Sequence, residues 1–396
     1  MTIPQIKIKA GREQSIRRFH LWVFSGALVE SKPDIEPGSV VQVVTHHGEH
    51  LATAHYEAGS IALKILSFDK EVIDQAFFEK RLEQAIYLRA NLGLGRDFDT
   101  TAFRLVHAEG DLLPGLIIDL YDNTAVMQCH SQGMYLQRKI IAQALRNTLG
   151  PGLKAIFLKH VNQSDSAEAS ASAAAGEYLY GQKVTAYVFE NRLQFTVDWE
   201  QGQKTGFFLD QRENRLIIRK LANEKVVLNA FAYTGGFSVA AGVGGANAVT
   251  SVDASQTALT QCEQHMRTNC SGVPHQALRE DCFKYFANLR EKFDLIILDP
   301  PAFVKHRAAL KRGINGYEEL NAQALKVLPR GGLLATFSCS QLVTNLDFFQ
   351  LIQRAALRVK AKVRIVHELS QAPCHPKLLS HPEGNYLKGF LLEVIE

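Results

Sequence analysis

Three short segments of the chain are suited to binding a nucleoside. The first, Asn229-Ala-Phe-Ala-Tyr-Thr-Gly-Gly-Phe237, follows an apolar stretch, and its small residues let the backbone approach a ligand closely. It lacks the Gly-x-Gly-x-x-Gly spacing of a pyrophosphate-binding turn, so it does not favour a dinucleotide. Asp253 ends the next apolar stretch, where a nucleoside-binding sheet places the carboxylate that binds the two ribose hydroxyls. Glu280-Asp281-Cys282 follows the third stretch and is suited to hydrogen bonding with an adenine edge.

The order of these three segments strengthens the prediction of a nucleoside-binding site. Glycine-rich turns and acids at the ends of strands are each common structural features. Together, each at the end of a successive apolar stretch, they favour the binding of an adenosine without a pyrophosphate. The sequence therefore predicts S-adenosylmethionine as the cofactor.

A fourth segment, Leu298-Asp299-Pro300-Pro301-Ala302-Phe303, is suited to holding a planar base. Two consecutive prolines fix φ and remove two backbone donors, so the turn is stiff and holds the Asp299 carboxylate in place. Phe303 offers a ring on which a base can stack. A strand-ending turn without function could also carry Pro-Pro, but the preceding aspartate favours a functional role.

A fifth segment, Phe337-Ser338-Cys339-Ser340, adds a nucleophile at the same expected edge as Asp299. Cytosine C5 is too weak a nucleophile to take a methyl group directly, and addition of a thiolate to C6 creates a carbanion-like C5 that can. Asp299, held by the Pro-Pro turn and donating to or orienting the N3 and N4 edge of the base, would stabilise the developing charge. We therefore predict Cys339 and Asp299 as the catalytic residues. The other cysteines are interpreted as structural residues.

The elements after Thr196 alternate between strands and helices. Alternation of this kind predicts a parallel sheet with helices on both faces and ligands at the carboxyl ends of the strands. The expected strands are 226–229, 249–252, 276–279, 295–298, 333–337, 363–367 and 390–395. Each of the five segments predicted above to bind the cofactor, hold the base or supply the nucleophile lies at the end of one of these strands.

The first seventy residues have the pattern of a small β-barrel or sandwich. Strand-like runs at 5–9, 40–45, 51–56 and 61–67 are separated by Pro37-Gly38, Gly48 and Gly59. The first residues of the chain are basic, and their side chains can contact the phosphates of a nucleic acid. An exposed strand edge whose cations prevent aggregation would explain these residues equally well. These cations, with the histidine and tryptophan beside them, are Lys7, Lys9, Arg12, Arg17, Arg18, His20 and Trp22.

The middle of the chain is predicted to form an α+β domain. A helical period over 74–91 precedes strands at 103–107, 116–121 and 124–129, a helix at 135–147 and a strand at 155–159. The Ser/Ala-rich segment 164–176 has low complexity and is expected to be a loop. We place the domain boundaries so that the three domains are 1–73, 74–189 and 190–396.

Composition narrows the class of protein. The chain has 396 residues, 46% of them hydrophobic and 21% charged, with a net charge of +4. Fibrous and disordered classes are excluded. Six scattered cysteines without a Cys-x-x-Cys pair, and an N-terminus without a secretory signal, predict a cytoplasmic protein without a metal site. The uncharged stretch 226–252 is long enough to span a bilayer, but its glycines favour a turn-rich region, so no membrane partner is expected.

The chain resembles the ribosomal RNA large subunit methyltransferase I family of cytosine-5 methyltransferases over essentially its whole length. The resemblance rests on segments that occur in the family's order: Gly11-Arg12, His20-Leu-Trp-Val-Phe-Ser-Gly26, Gln203-Lys-Thr-Gly-Phe-Phe-Leu-Asp-Gln-Arg-Glu-Asn214, Tyr233-Thr-Gly-Gly-Phe237, Asp299-Pro-Pro-Ala-Phe303, Phe337-Ser-Cys-Ser340, His375-Pro376, Pro382-Glu-Gly384 and Tyr386-Leu-Lys-Gly-Phe390.

The resemblance implies an α/β protein: an N-terminal PUA β-barrel, a central α+β domain and a C-terminal class I, Rossmann-like methyltransferase domain. It implies 23S ribosomal RNA as the partner and leaves open whether the chain forms a homodimer. The residues it places at S-adenosylmethionine are Phe207, Gln211, Asn229, Phe231, Tyr233, Thr234, Gly235, Asp253, Ala254, Asp281, Cys282 and Asp299. Those expected at RNA are Arg12, Arg17, Arg18, His20, Trp22 and Phe303.

Two features depart from the expected pattern, and two other functions stay open. Many RNA cytosine-5 methyltransferases carry a second cysteine after the Pro-Pro turn, whereas this chain has Ala302-Phe303, so another base must take the C5 proton. The segment 164–176 is also atypical. The alternative functions are methylation of an exocyclic amine, guanine N2 or adenine N6, and a non-catalytic role as an RNA-binding ribosome-assembly protein.

Overall fold

The computed structural model describes residues 3–30, 33–160, 176–184, 187–304 and 306–396. The Ser/Ala-rich segment predicted as a loop lies outside the described residues except for Gly176. The chain divides into two compact units. The first comprises Met1–Arg192, Val197–Leu209 and Pro373–Gly384, and the second comprises Leu193–Thr196, Asp210–Ala372 and Asn385–Glu396.

The first unit begins with a five-stranded sheet whose strand order is β1-β3-β4-β5-β2. Its elements are β1 (Gln5–Lys7), α1 (Gln14–Arg17), β2 (Trp22–Phe24), β3 (Val40–Val44), β4 (His50–Tyr56) and β5 (Ile61–Ser67). Ile8 bridges to Leu28, and the Val29 N–H donates to the Lys7 carbonyl, so the segment after β2 meets the strand at the opposite edge. This closure confirms the predicted barrel, whose interior holds fully buried Ile8 and Leu63.

A second five-stranded sheet follows in the same unit, with strand order β10-β9-β8-β7-β6. The elements are α2 (Gln75–Asn91), β6 (Ala102–His107), β7 (Leu116–Tyr121), β8 (Thr124–Cys129), α3 (Gln132–Leu136), α4 (Arg138–Leu149), β9 (Ala155–Lys159), β10 (Gly176–Tyr180) and β11 (Tyr187–Glu190). Asp74 caps α2 by accepting from the Phe77 N–H at 3.0 Å. The α+β pattern is therefore confirmed.

The prediction of one helix over 135–147 was wrong in detail, because two helices occupy this region. Ser131 starts α3 earlier by accepting from the Met134 N–H at 3.3 Å. Gln137, with φ −90° and ψ 4°, leaves the helical conformation and separates α3 from α4.

The second unit contains a seven-stranded sheet, with strand order β15-β14-β13-β16-β17-β19-β18. The unit's elements are β12 (Leu193–Thr196), α5 (Arg212–Leu221), β13 (Val226–Ala230), α6 (Gly236–Val243), β14 (Ala248–Asp253), α7 (Gln256–Cys270), β15 (His275–Arg279), α8 (Cys282–Asn288), β16 (Leu295–Leu298), α9 (Leu310–Val327), β17 (Leu333–Ser338), α10 (Asn345–Arg358), β18 (Val363–Ser370) and β19 (Lys388–Val394).

The prediction of a parallel sheet is correct for β13 to β17 and wrong for β19. This strand runs antiparallel to both of its neighbours, β17 and β18. The reversal follows from the connection, because the chain returns from β18 without a crossover helix, and only such a crossover could bring it back parallel.

The order of the strands creates a crevice at the carboxyl ends of β13 and β16. From β13 the chain crosses through α6 to β14, and from β16 it crosses through α9 to β17, in the opposite direction along the sheet. Right-handed crossovers therefore place α6 and α9 on opposite faces. Ligands of such sheets bind at this switch point.

The uncharged stretch that was long enough to span a bilayer forms β13, α6 and β14. Among the described residues, no helix is both long and apolar enough to cross a membrane. The six cysteines all lie in the described ranges, and no two of them form a disulfide.

Candidate active site

The loop that follows β13 has a strained backbone. Phe231 and Tyr233 have positive φ values of 60° and 47°, and Gly235 has φ 82°. Side chains other than glycine rarely adopt this conformation, and such strain concentrates at functional sites. Among the contacts that hold the loop in place, the Phe231 N–H donates to Cys282 Sγ at 3.3 Å and the Tyr233 N–H donates to Asp253 Oδ2 at 2.9 Å.

Asp253, at the end of β14, has a fixed carboxylate. Oδ2 accepts from Tyr233, and Oδ1 accepts from the Ser255 N–H at 2.8 Å. Each oxygen has two lone pairs, so the half-buried carboxylate retains acceptor capacity after these bonds. This arrangement suits a carboxylate that binds the two hydroxyls of a ribose.

Helix α7 supports the other side of the loop. A Cβ on Gly235 would lie 2.3 Å from Cys262 Sγ, so only glycine fits there. His265 Nε2 accepts from the Thr196 N–H at 3.0 Å, which leaves Nδ1 to donate to the Thr234 carbonyl at 2.8 Å. Burial lowers the pKa of His265, which keeps this neutral tautomer.

Thr234 supplies the observation that tests whether the loop fits a polar ligand. Its side chain is only 3% exposed, and Oγ1 has no hydrogen-bond partner in the described part of the chain. Buried hydroxyls are normally paired, so this one is able to hydrogen-bond a polar group that binds at the loop. The Asp253 carboxylate is bound to the same loop through the Tyr233 N–H. Together, the donors and acceptors of the loop and of Asp253 fit S-adenosylmethionine.

Two predicted cofactor residues lie behind the loop. Asn229 is buried, and its Nδ2 donates to Ser238 Oγ at 2.8 Å, which in turn is 2.7 Å from Ser251 Oγ. Burial raises the pKa of the Cys282 thiol to about 12, so this side chain is a neutral support for the backbone of Phe231. Both side chains position the loop.

Asp281 and Ala254 are exposed at the carboxyl ends of neighbouring strands. Asp281 caps α8 by accepting from the Lys284 N–H at 3.1 Å through Oδ1. One cap bond leaves the carboxylate able to accept from a ligand. The strand ends of β14 and β15 therefore bring these two predicted residues to the same edge of the sheet.

Asp299 is held by a chain of buried amides. Gln211 Nε2 donates to Asp299 Oδ1 at 3.0 Å, and Asn214 Nδ2 donates to Gln211 Oε1 at 2.5 Å. Gln211 and Asn214 are each 2% exposed. The sequence did not assign a role to Asn214, which fixes the orientation of the Gln211 amide. Phe207, predicted near the cofactor, is a buried residue of the first unit.

Cys339 lies directly after β17, next to the Asp-Pro-Pro turn. Its Sγ is 4.0 Å from the Pro300 carbonyl oxygen, and its side chain is half-buried. Ser340 anchors this segment, because its Oγ accepts from the Val304 N–H and lies 3.0 Å from the Tyr317 hydroxyl. The structure therefore brings the predicted nucleophile and the stiff turn together, as expected from the pairing of β16 with β17.

Lys388, the first residue of β19, is a residue of this site that the sequence analysis missed. Its Nζ donates to the Ser340 carbonyl at 2.8 Å, and the side chain is only 6% exposed. Burial lowers the pKa of this amine to about 8, against the opposing attraction of Cys339 and Asp347. The sequence feature that could have identified this residue is a lysine at the start of an apolar strand.

Phe303 belongs to an aromatic cluster at the same edge. Its ring centroid lies 4.6 Å from that of Tyr317, 5.8 Å from Phe283 and 6.4 Å from Phe231. The ring is half-buried, so one part of it packs against the fold and the rest is accessible. The cluster links the strained loop to the Asp-Pro-Pro turn.

The predicted RNA-binding residues of the first unit divide into two groups. Arg12, Arg17 and Arg18 are exposed, and Arg17 pairs with Glu49 at 2.9 Å. His20 and Trp22 instead contact other parts of their own unit. The Trp22 indole N–H donates to Glu109 Oε1 at 2.9 Å, and His20 Nε2 is 3.3 Å from Glu383 Oε2.

Comparison with known proteins identifies two matching families. Residues 128–384 match the S-adenosylmethionine-dependent methyltransferases, and residues 6–68 match the PUA-like domains. Among solved structures, a protein named as a methyltransferase and complexed with SAH has a TM-score of 0.86 and 26% sequence identity, over 99% of this chain and 100% of its own.

Curated relatives match over nearly the whole chain. Ribosomal RNA large subunit methyltransferase I of Klebsiella pneumoniae is 38% identical over 401 residues, 99% of this chain and 98% of the relative. The protein of the same name from Shigella dysenteriae is 38% identical over 400 residues, 99% of each chain. The chain therefore belongs to the ribosomal RNA large subunit methyltransferase I family, and its cofactor is S-adenosylmethionine.

Proposed function

We propose that this protein methylates C5 of a cytosine in 23S ribosomal RNA, with Cys339 as the nucleophile. The observation that carries the proposal is the 4.0 Å distance between Cys339 Sγ and the carbonyl oxygen of Pro300, the residue that follows Asp299 in the stiff turn. The named activity of relatives that are 38% identical supports ribosomal RNA of the large subunit as the substrate.

The reaction begins with addition of the Cys339 thiolate to C6 of the cytosine. A bond forms between Sγ and C6, and the electron pair of the C5–C6 double bond moves to C5 and towards N3. Asp299 accepts from the exocyclic N4 amine and orients the base. When bound, S-adenosylmethionine supplies the electrophilic methyl group that C5 takes up.

The reaction ends with elimination of the enzyme. A base takes the C5 proton, the electron pair restores the C5–C6 double bond, and Sγ leaves from C6 as a thiolate. Lys388, whose amine lies beside the same segment, favours the thiolate by its positive charge both before addition and after release. Ala302-Phe303 offers no second thiol for this step.

The cofactor is held by the loop after β13 and by the strand-end acids. Thr234 Oγ1 and the backbone of Tyr233 and Gly235 line its polar part, Asp253 binds the ribose, and Asp281 binds the adenine edge. The other residues proposed at the cofactor, directly or through the loop, are Phe207, Gln211, Asn229, Phe231, Ala254, Cys282 and Asp299.

RNA binding is proposed for the first 73 residues, followed by a central domain at 74–189 and a catalytic domain at 190–396. Arg12, Arg17 and Arg18 contact phosphates, and Phe303 stacks on the target base. His20 and Trp22 complete the proposed surface, although their contacts with Glu383 and Glu109 direct them towards their own unit.

Product analysis separates the proposal from its rivals. The protein is incubated with unmodified 23S RNA and labelled S-adenosylmethionine, and the nucleosides are then analysed by mass spectrometry. We expect 5-methylcytidine. Guanine N2 or adenine N6 methylation would replace the proposal with the exocyclic-amine alternative. Absence of cofactor binding by calorimetry, with RNA affinity retained, would favour an assembly role.

The nucleophile is tested by substitution and by trapping. Cys339→Ser should lower the rate of methyl transfer by at least about a thousand-fold, as loss of a nucleophile does. Cys129→Ser is the matched control, because this thiol is also half-buried and its pKa is raised to about 12. RNA with 5-fluorocytidine at the target should stay bonded to the wild type only, since fluorine cannot leave as a proton does. Full activity of Cys339→Ser would exclude the nucleophile.

A further inference from the structure

Three side chains that can bind a metal converge in the first unit. These are His20, after α1, and His381 and Glu383, in the segment that returns to this unit near the end of the chain. His20 Nε2 is 3.3 Å from Glu383 Oε2, and His381 Nδ1 is 3.6 Å from the same oxygen. One atom of each side chain lies within 4.8 Å of the other two.

These separations match those between the ligands of one ion. Zinc binds nitrogen and oxygen at about 2.1 Å in a tetrahedral arrangement, which places neighbouring ligand atoms about 3.4 Å apart. Two of the three separations are within a few tenths of an ångström of that value. A small movement of one imidazole ring would bring all three atoms to binding distance.

His381 gives an independent reason for a ligand. Its side chain is 2% exposed, and its Nδ1 has no hydrogen-bond partner among the residues that the structure describes. A buried nitrogen without a partner is unfavourable, and this one faces the Glu383 carboxylate at a distance too long for a hydrogen bond. A cation between the two would satisfy both groups.

The surroundings resemble those that orient metal ligands. His20 Nδ1 lies 3.1 Å from the Trp22 carbonyl oxygen and 3.2 Å from the Trp22 backbone nitrogen, so the Trp22 backbone holds the ring in either tautomer. The tautomer that donates from Nδ1 to the carbonyl leaves Nε2 able to bind an ion. The Trp22 ring packs edge-on against His381 at 4.5 Å, and its indole N–H is held by Glu109. The tryptophan thus limits how both imidazoles can turn.

We propose that His20, His381 and Glu383 bind one divalent transition-metal ion, with zinc as the best match and water completing the coordination. The ion would join two segments that lie more than 300 residues apart in the chain, at His20 and Glu383. Its role is structural, because the three ligands meet only in the folded unit, so binding of the ion stabilises the folded state over the unfolded one. For His20, binding of the ion replaces the role at RNA proposed above, and Arg12, Arg17 and Arg18 keep theirs.

The test uses the full chain, freed of any affinity tag and stripped of metal with a chelator. Zinc affinity is measured by competition with a chromophoric chelator, and cobalt is used as a spectroscopic probe. We expect one tight zinc site per chain, a visible cobalt spectrum of nitrogen and oxygen ligands without a thiolate charge-transfer band, and a higher midpoint of thermal unfolding with zinc.

Substitutions locate the site. Glu383→Gln, His20→Gln and His381→Ala should each weaken zinc binding at least about 10-fold, the smallest loss usual for changes around a metal. His381 is buried, so if that variant does not fold the other two decide. The control is a double variant, His46→Gln with His47→Gln, which removes two adjacent exposed imidazoles with ring centroids 3.6 Å apart.

Two results would overturn the proposal. One is zinc affinity in Glu383→Gln and His20→Gln equal to that of the wild type. The other is loss of binding in the His46/His47 control alone, which would assign the metal to the surface pair. An unchanged unfolding midpoint in zinc, together with tight binding, would overturn the structural role.

Discussion

The Lys388 ammonium donates a hydrogen bond of 2.8 Å to the carbonyl oxygen of Ser340, the residue that follows Cys339. The direction of β19 makes this contact possible. Because β19 runs antiparallel to β17, its first residue pairs with Ser338, the last residue of β17. The reversed strand therefore brings a cation to the edge where the parallel strands present their carboxyl ends.

Replacing Lys388 should change the pH dependence of methyl transfer. The pKa of the amine is about 8, so the charge that favours a Cys339 thiolate is present below that pH and is lost as the pH rises through it. In Lys388→Met we expect a slower reaction and a shift of its acid limb to higher pH by about one unit, the lower end of the effect of a nearby charge. Single-turnover rates across the pH range measure this shift.

The control for Lys388 is Lys362→Met, which removes an exposed lysine just before β18, at the opposite end of β19, where Val363 pairs with Val394. Lys388→Arg should retain part of the rate, because the charge remains while the geometry changes. Asp347 also interacts with the Lys388 amine, so Asp347→Asn should lower the pKa of that amine further. An unaltered pH profile in Lys388→Met would remove the electrostatic role.

A Cβ at Gly235 should weaken cofactor binding through the strained loop. Gly235→Ala places the new atom 2.3 Å from Cys262 Sγ and also strains a backbone with φ 82°. Gly331→Ala is a matched control, because φ is 79° there and nothing lies within 4 Å of the new atom. Both variants bear the cost of about 1–2 kcal/mol for an L side chain in this conformation.

Only Gly235→Ala should raise the dissociation constant for S-adenosylmethionine, by at least about 10-fold, which corresponds to about 1.4 kcal/mol. Isothermal titration calorimetry measures this constant in both variants. Equal affinities in the two variants would show that the backbone of this loop does not set cofactor binding.

The sequence predicted most strands of the second unit because each is an uninterrupted apolar run followed by a turn or an acid. The strand over 295–298 matches the structure residue for residue, and the segment that holds the proposed nucleophile lies beside the Asp-Pro-Pro turn as expected. Adjacent parallel strands end at the same edge, so the order of motifs was enough to place Asp253, Asp299 and Cys339 there.

Other features depend on contacts between residues that are distant in sequence. The antiparallel direction of β19, which places Lys388 beside the end of β17, cannot be predicted from the periodicity of the residues in β19. Asn214 contributes through a side-chain amide bond to Gln211, which no local pattern reveals. The pairing of Trp22 with Glu109 likewise turned a predicted RNA-binding side chain towards its own unit.

Exposed arginines near the N-terminus should set the salt dependence of RNA binding. Arg12 and Arg18 make no ion pair with any described residue, whereas Arg17 pairs with Glu49 at 2.9 Å. Arg12→Gln and Arg18→Gln should each reduce the slope of log affinity against log salt by about 1, as loss of one phosphate contact does. Arg17→Gln should have a smaller effect, since its charge is partly neutralised already.

Binding of 23S RNA fragments at several salt concentrations measures these slopes. Arg354→Gln is the control, because Arg354 lies in the second unit and pairs with Glu318 at 2.7 Å. Slopes that are equal in the wild type and in the Arg12 and Arg18 variants would remove these residues from the RNA-binding surface.

Burial of His55 should make the first unit sensitive to acid. Desolvation lowers the pKa of this imidazole from 6.5 to about 4. Between these pH values the unfolded chain binds a proton that the folded unit does not, so the free energy of unfolding falls as the pH is lowered from 6.5 to 4. The decrease in the free energy of unfolding that His55 causes is about 3 kcal/mol, since each pKa unit corresponds to about 1.36 kcal/mol, and His55→Leu should remove it. The control is His47→Leu, at an exposed position in the same unit, which should leave the pH dependence of stability unchanged.

Both tryptophans, Trp22 and Trp199, belong to this unit, so their fluorescence during urea unfolding reports its stability. The same dependence on pH in His55→Leu and the wild type would assign the acid sensitivity to other groups.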